Sequence, residues 1–222
     1  IHEAFEIANN GRPGPVLIDI PKDVQFAKGK FEKKENIIIP KHRLFEPKII
    51  ANKQNIYEAA KLISGAKKPI LYIGGGCINS GPHASKLITD FIEETGIPAT
   101  MTLMGLGVLG SSNKHSLGML GMHGMYEANM AMHDCDVMIN IGARFDDRVT
   151  GRLDAFSPNS KKIHIDIDAS NVNKTIKIDL PIIGDVGSVM KDFMTVWKDN
   201  NFFVDKEVLQ KWWKKIEDWK KV

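Results

Sequence analysis

Cysteine is scarce in this 222-residue sequence: Cys77 and Cys135 lie 58 positions apart, and neither sits in a CxxC pair. That excludes a disulfide framework and a cysteine zinc site, and it fits a reducing compartment. Long apolar runs are missing too, and no stretch approaches the roughly 18 residues that a membrane-spanning helix needs. His115, His123 and His133 are 8 and 10 positions apart, which is not the i, i+4 spacing of a helical metal pair. No P-loop, GxSxG elbow or paired-carboxylate site is visible, so no catalytic group and no metal ligand is assigned. Charge of one sign is not gathered either. The net charge is +3, and residues 49–190 carry 13 basic and 14 acidic side chains. A nucleic-acid surface would need Lys and Arg collected on one face. What is left is a globular composition, 43% hydrophobic and 26% charged, in a chain long enough to fold without a staple.

The pattern along the chain is uneven. Ile1, Ala4, Phe5 and Ala8 have helical spacing, and Asn9–Asn10–Gly11 closes that helix. Val16–Ile20 reads as a buried strand stopped by Pro21. Residues 1–26 are too few for a core of their own, which suggests a piece of a longer protein. Residues 27–49, rich in Lys and Glu, read as a linker with one extended stretch at Ile37–Ile39. From Asn52 helices alternate with strands at Pro69–Ile73, Pro98–Met101, Asp136–Ile141, Lys162–Ile167 and Pro181–Ile183. Each strand reads as apolar throughout, as in a parallel sheet covered on both faces. The expectation is an α/β, doubly wound parallel sheet over 50–195. Beyond it, Leu209, Trp212, Trp213, Ile216 and Trp219 form an amphipathic stripe that needs a partner, on this domain or a neighbouring one.

In such a sheet ligands bind where the strands end. Those ends carry Gly74–Gly75–Gly76, Thr102–Leu103–Met104–Gly105, Gly142–Ala143–Arg144, Asp166–Ile167–Asp168 and Gly184–Asp185. The glycines let backbone approach a phosphate. Gly74-x-Gly76 opens like a GxGxxG fingerprint, but Asn79 stands where the third glycine belongs. Asp166 and Asp185 can hold ribose hydroxyls, or they can serve as caps. Arg144–Arg148 offers guanidinium forks for phosphate or carboxylate, or it is a solvated loop. An extended dinucleotide spread over several strand ends fits this distribution better than a single phosphate.

Several runs taken together resemble a known family. Gly11–Arg12–Pro13–Gly14–Pro15–Val16 through Val24 is similar to the end of the first domain of thiamine-diphosphate-dependent enzymes. Gly74–Gly76, Thr102–Gly107, Leu120–Gly121–Met122–His123–Gly124, Arg144–Phe145–Asp146–Asp147–Arg148 through Gly151, and His164–Asp168 continue the likeness. Together they resemble the catalytic large subunit of the acetolactate synthase (acetohydroxyacid synthase) family. The resemblance implies that 1–26 is the C-terminal end of an N-terminal thiamine-pyrimidine-binding domain and 50–195 a central FAD-binding domain. Residues 196–222 would be a linker and the start of a C-terminal thiamine-diphosphate domain. It implies FAD contacts at Arg12, Gly75, Thr102, Leu103, Leu120, Gly121, Met122, His123, Gly142, Ala143, Arg144, Phe145, Asp146, Asp166, Ile167, Asp185 and Val186. It further implies that Arg148 and Met122 face the second substrate.

The same resemblance implies pyruvate and 2-ketobutyrate as substrates, in branched-chain amino acid (isoleucine, valine, leucine) synthesis. It implies a homodimer or tetramer with a separate regulatory subunit, and thiamine diphosphate and Mg2+ held by parts outside these residues. This stretch alone is then expected to be inactive. Bacterial cytoplasm is the default compartment, with an organelle left open. Another flavin-containing thiamine enzyme (a pyruvate oxidase or glyoxylate carboligase) and a non-catalytic FAD- or ADP-binding module remain the alternatives.

Overall fold

The computed structural model describes residues 1–30 and 51–222. The chain divides into two compact units, Ile1–Pro47 and Lys48–Val222. In the first, α1 (His2–Asn9) and α2 (Lys22–Phe26) are helices with no buried residue. Val16–Ile20 forms no strand, and Leu17 is 94% exposed. The expected buried strand is therefore absent among the described residues: an extended run cannot form a ladder without a neighbour to accept its hydrogen bonds. The stretch Ile37–Ile39 and most of the 27–49 linker lie outside the described residues.

The second unit is built on one six-stranded sheet. Its elements run α3 (Lys53–Ser64), β1 (Pro69–Ile73), α4 (Gly75–Asn79), α5 (Pro82–Thr95), β2 (Ala99–Met101), β3 (Ser116–Met119), α6 (Tyr126–Asp134) and β4 (Val137–Ile141). They continue through α7 (Asp147–Thr150), β5 (Lys161–Asp166), β6 (Leu180–Ile183), α8 (Val186–Asp199) and α9 (Lys206–Trp219). All the strand pairs are parallel, in the order β3-β2-β1-β4-β5-β6. The doubly wound expectation holds, and this is the strand order of dinucleotide-binding sheets, with its switch point between β1 and β4.

Local chemistry sets the helix ends. Asn52 accepts from the Gln54 amide at 2.9 Å and starts α3, whose Ile56, Ala59, Ala60 and Ile63 are buried. Pro82 opens α5, and Gly96 closes it in the left-handed conformation at φ 74°. Such caps contribute about 1 kcal/mol each. β1 and β4 are buried along their whole length, as strands covered on both faces must be.

Two features depart from the sequence reading. Residues 105–124, where no strand is expected from the sequence, contain the edge strand β3, whose pairing with β2 is irregular around Gly118, at φ 71°. The strands are also not apolar throughout: Thr100, Tyr72, Asn140 and His164 are each fully buried. In register, Thr100 pairs with Tyr72, Tyr72 with Asn140, and Asn140 with His164. They form one row on one face across β2, β1, β4 and β5.

The aromatic stripe of α9 finds its partner within this unit. Leu209, Trp212 and Ile216 are buried. The Trp212 indole donates to Pro69 O at 3.1 Å and Trp213 donates to Gly96 O at 2.8 Å. Asp134 of α6 bridges Lys215 at 2.8 Å and Lys68 at 3.1 Å. Helix α9 thus closes the amino ends of the strands. Among the described residues no helix is long and apolar enough to cross a membrane.

Candidate functional site

The carboxyl ends of the six strands are stitched into one line. Leu120 N–H donates to Met101 O at 3.2 Å, Thr102 N–H to Ile73 O at 2.9 Å, and Gly74 N–H to Ile141 O at 2.8 Å. Gly142 N–H donates to Ile165 O at 2.8 Å, and Gly184 N–H to Asp166 O at 3.0 Å. Each residue that leaves a strand is tied to the end of its neighbour. The predicted segments at 102–103, 120–123, 142–146, 166–167 and 185–186 therefore lie along one rim. Five strand spacings of ~4.8 Å make that rim roughly 24 Å long, the scale of an extended dinucleotide. Gly75 is on the same rim, whereas Arg12 belongs to the first unit.

The glycines at the switch point serve protein packing. A Cβ on Gly74 would lie 2.3 Å from Gly142 O and 2.4 Å from Ala143 Cα; on Gly76 it would lie 2.8 Å from Gly142 Cα. β1 and β4 thus exchange side-chain-free turns against each other, and Gly76 N–H donates to Gly142 O at 2.9 Å. The expectation that these glycines open backbone to a phosphate is corrected at Gly74 and Gly76, where β4's own turn fills the space. Gly75, partly exposed like Gly76, faces Met104, whose Cβ would be 3.0 Å from an added methyl.

Four buried or half-buried polar side chains, none of them picked out from the sequence, hold the turns. Asn140 closes a two-bond clamp on Ala143: its Nδ2 donates to Ala143 O at 2.9 Å, and Ala143 N–H donates to its Oδ1 at 3.0 Å. Asn129 does the same at Gly121, at 3.0 and 2.8 Å. The Tyr72 hydroxyl donates to Arg144 O at 3.2 Å; burial first, then Asp146, pushes its pKa above the ordinary phenol value. His164 Nε2 lies 3.1 Å from Ala143 O. A clue was present: each is a lone polar residue in or beside an apolar run, which costs free energy unless it is hydrogen-bonded.

Two runs far apart in sequence meet here. Met122 N–H donates to Arg148 O at 2.9 Å, so the Leu120–Gly124 loop lies on the first turn after β4. A Cβ on Gly121, at φ 98°, would come within 2.7 Å of Arg148 O, so only glycine fits. Met122, His123, Arg144, Asp146 and Arg148 are exposed, and Phe145 is buried. Arg144 pairs with Asp146 at 3.3 Å, and both side chains are about half exposed. Such a pair contributes little to stability, which leaves the guanidinium available to an anion.

The two predicted acids are engaged by protein donors. Asp185 caps α8, accepting from Ser188 N–H at 3.1 Å and from Ser80 Oγ at 2.7 Å. Asp166 accepts from Asp168 N–H at 2.8 Å and Asn171 Nδ2 at 3.2 Å, with His164 Nε2 at 3.5 Å. Burial works to raise the Asp166 pKa, but the donors from His164, Asp168 and Asn171 outweigh it and hold the carboxyl below the usual range. Asp185 is thus seen directly as a helix cap and Asp166 as a turn residue at the end of β5; a carboxylate has lone pairs left for a further hydroxyl. Thr102 is turned inward, its Oγ1 accepting from Gly105 N–H at 3.0 Å. Leu103 and Met104 beside it are 68% and 74% exposed. Both cysteines are buried thiols, raised by burial to about 12 (Cys77) and about 11 (Cys135), so neither is a nucleophile at neutral pH.

Comparison with known proteins bears on the same region. The family model described as thiamine pyrophosphate enzyme, central domain, matches residues 56–193. The acetolactate synthase large subunit of Buchnera aphidicola subsp. Schizaphis graminum is 42% identical over 225 residues, covering 99% of this chain and 38% of that protein. The acetolactate synthase large subunit of Porphyra purpurea is 43% identical over 222 residues, covering 99% and 37%. Acetolactate synthase isozyme 3 large subunit of Escherichia coli is 37% identical, covering 99% and 38%. The chain spans less than two fifths of the length of these curated relatives.

Proposed function

Because this chain belongs to the thiamine pyrophosphate enzyme family through its central domain, we propose that it is the FAD-binding central part of an acetolactate synthase large subunit. The observation that carries the reading is the stitched rim of six strand ends, which gathers the segments expected to contact a dinucleotide. The residues fit FAD. Arg144, exposed on a clamped turn, suits the pyrophosphate. Asp166 and Asp185 keep acceptor capacity for ribose hydroxyls. Leu103 and Met122, exposed and apolar, suit the ring system, with Gly75, Thr102, Leu120, Gly121, His123, Gly142, Ala143, Phe145, Asp146, Ile167 and Val186 shaping the rest. Arg12 is assigned to the same cofactor in this reading. FAD supplies no net electron transfer here; its part is positional.

The reaction in this reading releases CO2 from pyruvate and joins the remaining two-carbon unit to pyruvate or 2-ketobutyrate, toward branched-chain amino acids. Thiamine diphosphate and Mg2+ are assigned to other parts of the polypeptide, as are the catalytic groups. Arg148 is assigned to the carboxylate of the second keto acid, with Met122 beside it. Residues 1–26, 27–49 and 196–222 are assigned to the end of the pyrimidine-binding domain, a linker, and the lead into the diphosphate-binding domain. The assembly is a homodimer or tetramer with a regulatory subunit, in the cytoplasm.

Titration of the purified chain with FAD, followed by flavin fluorescence and absorbance, tests the reading. Saturable binding of one FAD per chain is expected, and no saturable binding overturns it. Incubation with pyruvate, thiamine diphosphate, FAD and Mg2+ is expected to give no acetolactate. Measurable product would place catalytic groups within these 222 residues.

A further inference from the structure

Arg144 presents an exposed side chain on an unusually restrained backbone. The peptide carbonyl before it, Ala143 O, takes two hydrogen bonds, from Asn140 Nδ2 at 2.9 Å and His164 Nε2 at 3.1 Å. Its own carbonyl takes a third, from the Tyr72 hydroxyl at 3.2 Å. All three donors are fully buried, and they come from β4, β5 and β1. Three polar side chains removed from water to hold one turn are costly for stability alone, since apolar residues of similar shape would pack at least as well. They make sense as a support that fixes the direction of Arg144.

Among the three, His164 does something the others do not. Its Nε2 also lies 3.5 Å from Asp166 Oδ2, so one ring nitrogen faces two acceptors. A nitrogen between a carbonyl and a carboxylate must carry the proton. Nδ1 is buried and has no hydrogen-bond partner among the described residues; protonating it would bury an unpaired N–H beside the Phe145 ring, whose centroid is 5.3 Å away. We propose that His164 is a positioning residue: an Nε2–H ring on β5 whose hydrogen bond to Ala143 O ties the β4 turn carrying Arg144 to the β5 end carrying Asp166. The two groups expected to meet the pyrophosphate and a ribose are thereby held in one fixed relation. This rests on the FAD reading for its ligand, and on geometry alone for the ring itself.

The test has two arms. FAD affinity is measured for wild type, His164→Phe, His164→Gln, Arg144→Met and the double variant His164→Phe/Arg144→Met. Loss of the donor in His164→Phe is expected to weaken FAD by about 10- to 100-fold. His164→Gln, whose Nε2 amide can reach Ala143 O, recovers part of it. In the Arg144→Met background His164→Phe should cost far less, because its effect passes through Arg144. Additive losses, or full FAD affinity in His164→Phe, overturn the proposal. The second arm needs no flavin: 15N NMR of the histidines in the wild-type chain should show His164 with a pyridine-like Nδ1 and a pyrrole-like Nε2. A protonated Nδ1 overturns it. If wild type binds no FAD, the flavin reading fails by itself, while the tautomer and the order of the Arg144 and Phe145 amides in His164→Phe still decide the anchoring.

Discussion

At the amino ends of the strands, α9 lays Leu209, Trp212 and Ile216 against the sheet and adds two indole hydrogen bonds to backbone carbonyls. At the carboxyl ends, Asn129, Asn140, Tyr72 and His164 grip glycine and arginine turns by hydrogen bonds, and the side chains beyond them are left exposed. The first arrangement is non-directional: burying large apolar side chains stabilises the fold without fixing any one atom to a fraction of an ångström. The second is directional and contributes little net stability, yet it specifies where a turn points. One end of the sheet holds the domain together, and the other holds a shape.

That division can be broken from either side. Trp212→Ala is expected to destabilise the chain by ~3–5 kcal/mol, read as a fall in Tm or in denaturant midpoint, with FAD affinity per folded molecule unchanged. A large affinity loss at equal folding would erase the distinction between the two ends. Gly74→Ala pushes a methyl into Gly142 O and Ala143 Cα, backbone atoms that cannot swing aside. A cost of ~1–3 kcal/mol or more follows, here with a matching loss of FAD binding, because the β1 and β4 turns move together.

Asp166→Asn sharpens the comparison through pH. The folded-state pKa of Asp166 is depressed, so its contribution is present above the unfolded value near ~4 and fades as pH falls through the folded one. The variant should be less stable than wild type at pH 7 by about 1–2 kcal/mol, and the gap should narrow as pH falls below the unfolded value. A gap independent of pH would mean that the carboxylate charge is not what the Asp168, Asn171 and His164 donors hold. Asp185→Ala removes the α8 cap and should cost ~1 kcal/mol, visible as a small Tm shift. Arg148→Ala is the smallest expected change in stability, within ~0.5 kcal/mol, because its side chain is 72% exposed. Under the proposed function its effect is expected in the choice of second substrate, measured as the 2-ketobutyrate to pyruvate product ratio in a full-length enzyme carrying this chain. Unchanged discrimination would remove Arg148 from the substrate side.

Much of this was legible in the residues. Ile56, Ala59, Ala60 and Ile63 declare a helix by their spacing, and Gly65 ends it. Pro69–Ile73 and Val137–Ile141 declare buried strands by mostly apolar runs, with Tyr72 and Asn140 as their polar members. The strand-end segments stood out because Gly, Arg and Asp follow directly on apolar runs. Strand β3 did not, since Ser116–Leu117–Gly118–Met119 has neither alternation nor an apolar run, and edge pairing alone makes it a strand. Val16–Ile20 misled in the opposite direction: apolar content suggested a strand where the described residues supply no partner.

By itself the sequence determined most helices and the central strands of the second unit, because caps, breakers and side-chain periodicity act over a few neighbouring residues. It also placed the charged and glycine-bearing segments at strand ends. Only the tertiary structure decided that β1 and β4 lie side by side, so that Gly74 and Gly76 face Gly142 instead of open space. It alone aligned Thr100, Tyr72, Asn140 and His164 into a buried row, and it brought Met122 onto Arg148. Those relations join residues up to 92 positions apart, as between Tyr72 and His164, through sheet register. A lone polar residue inside an apolar run carries no local signal of which neighbour it will meet.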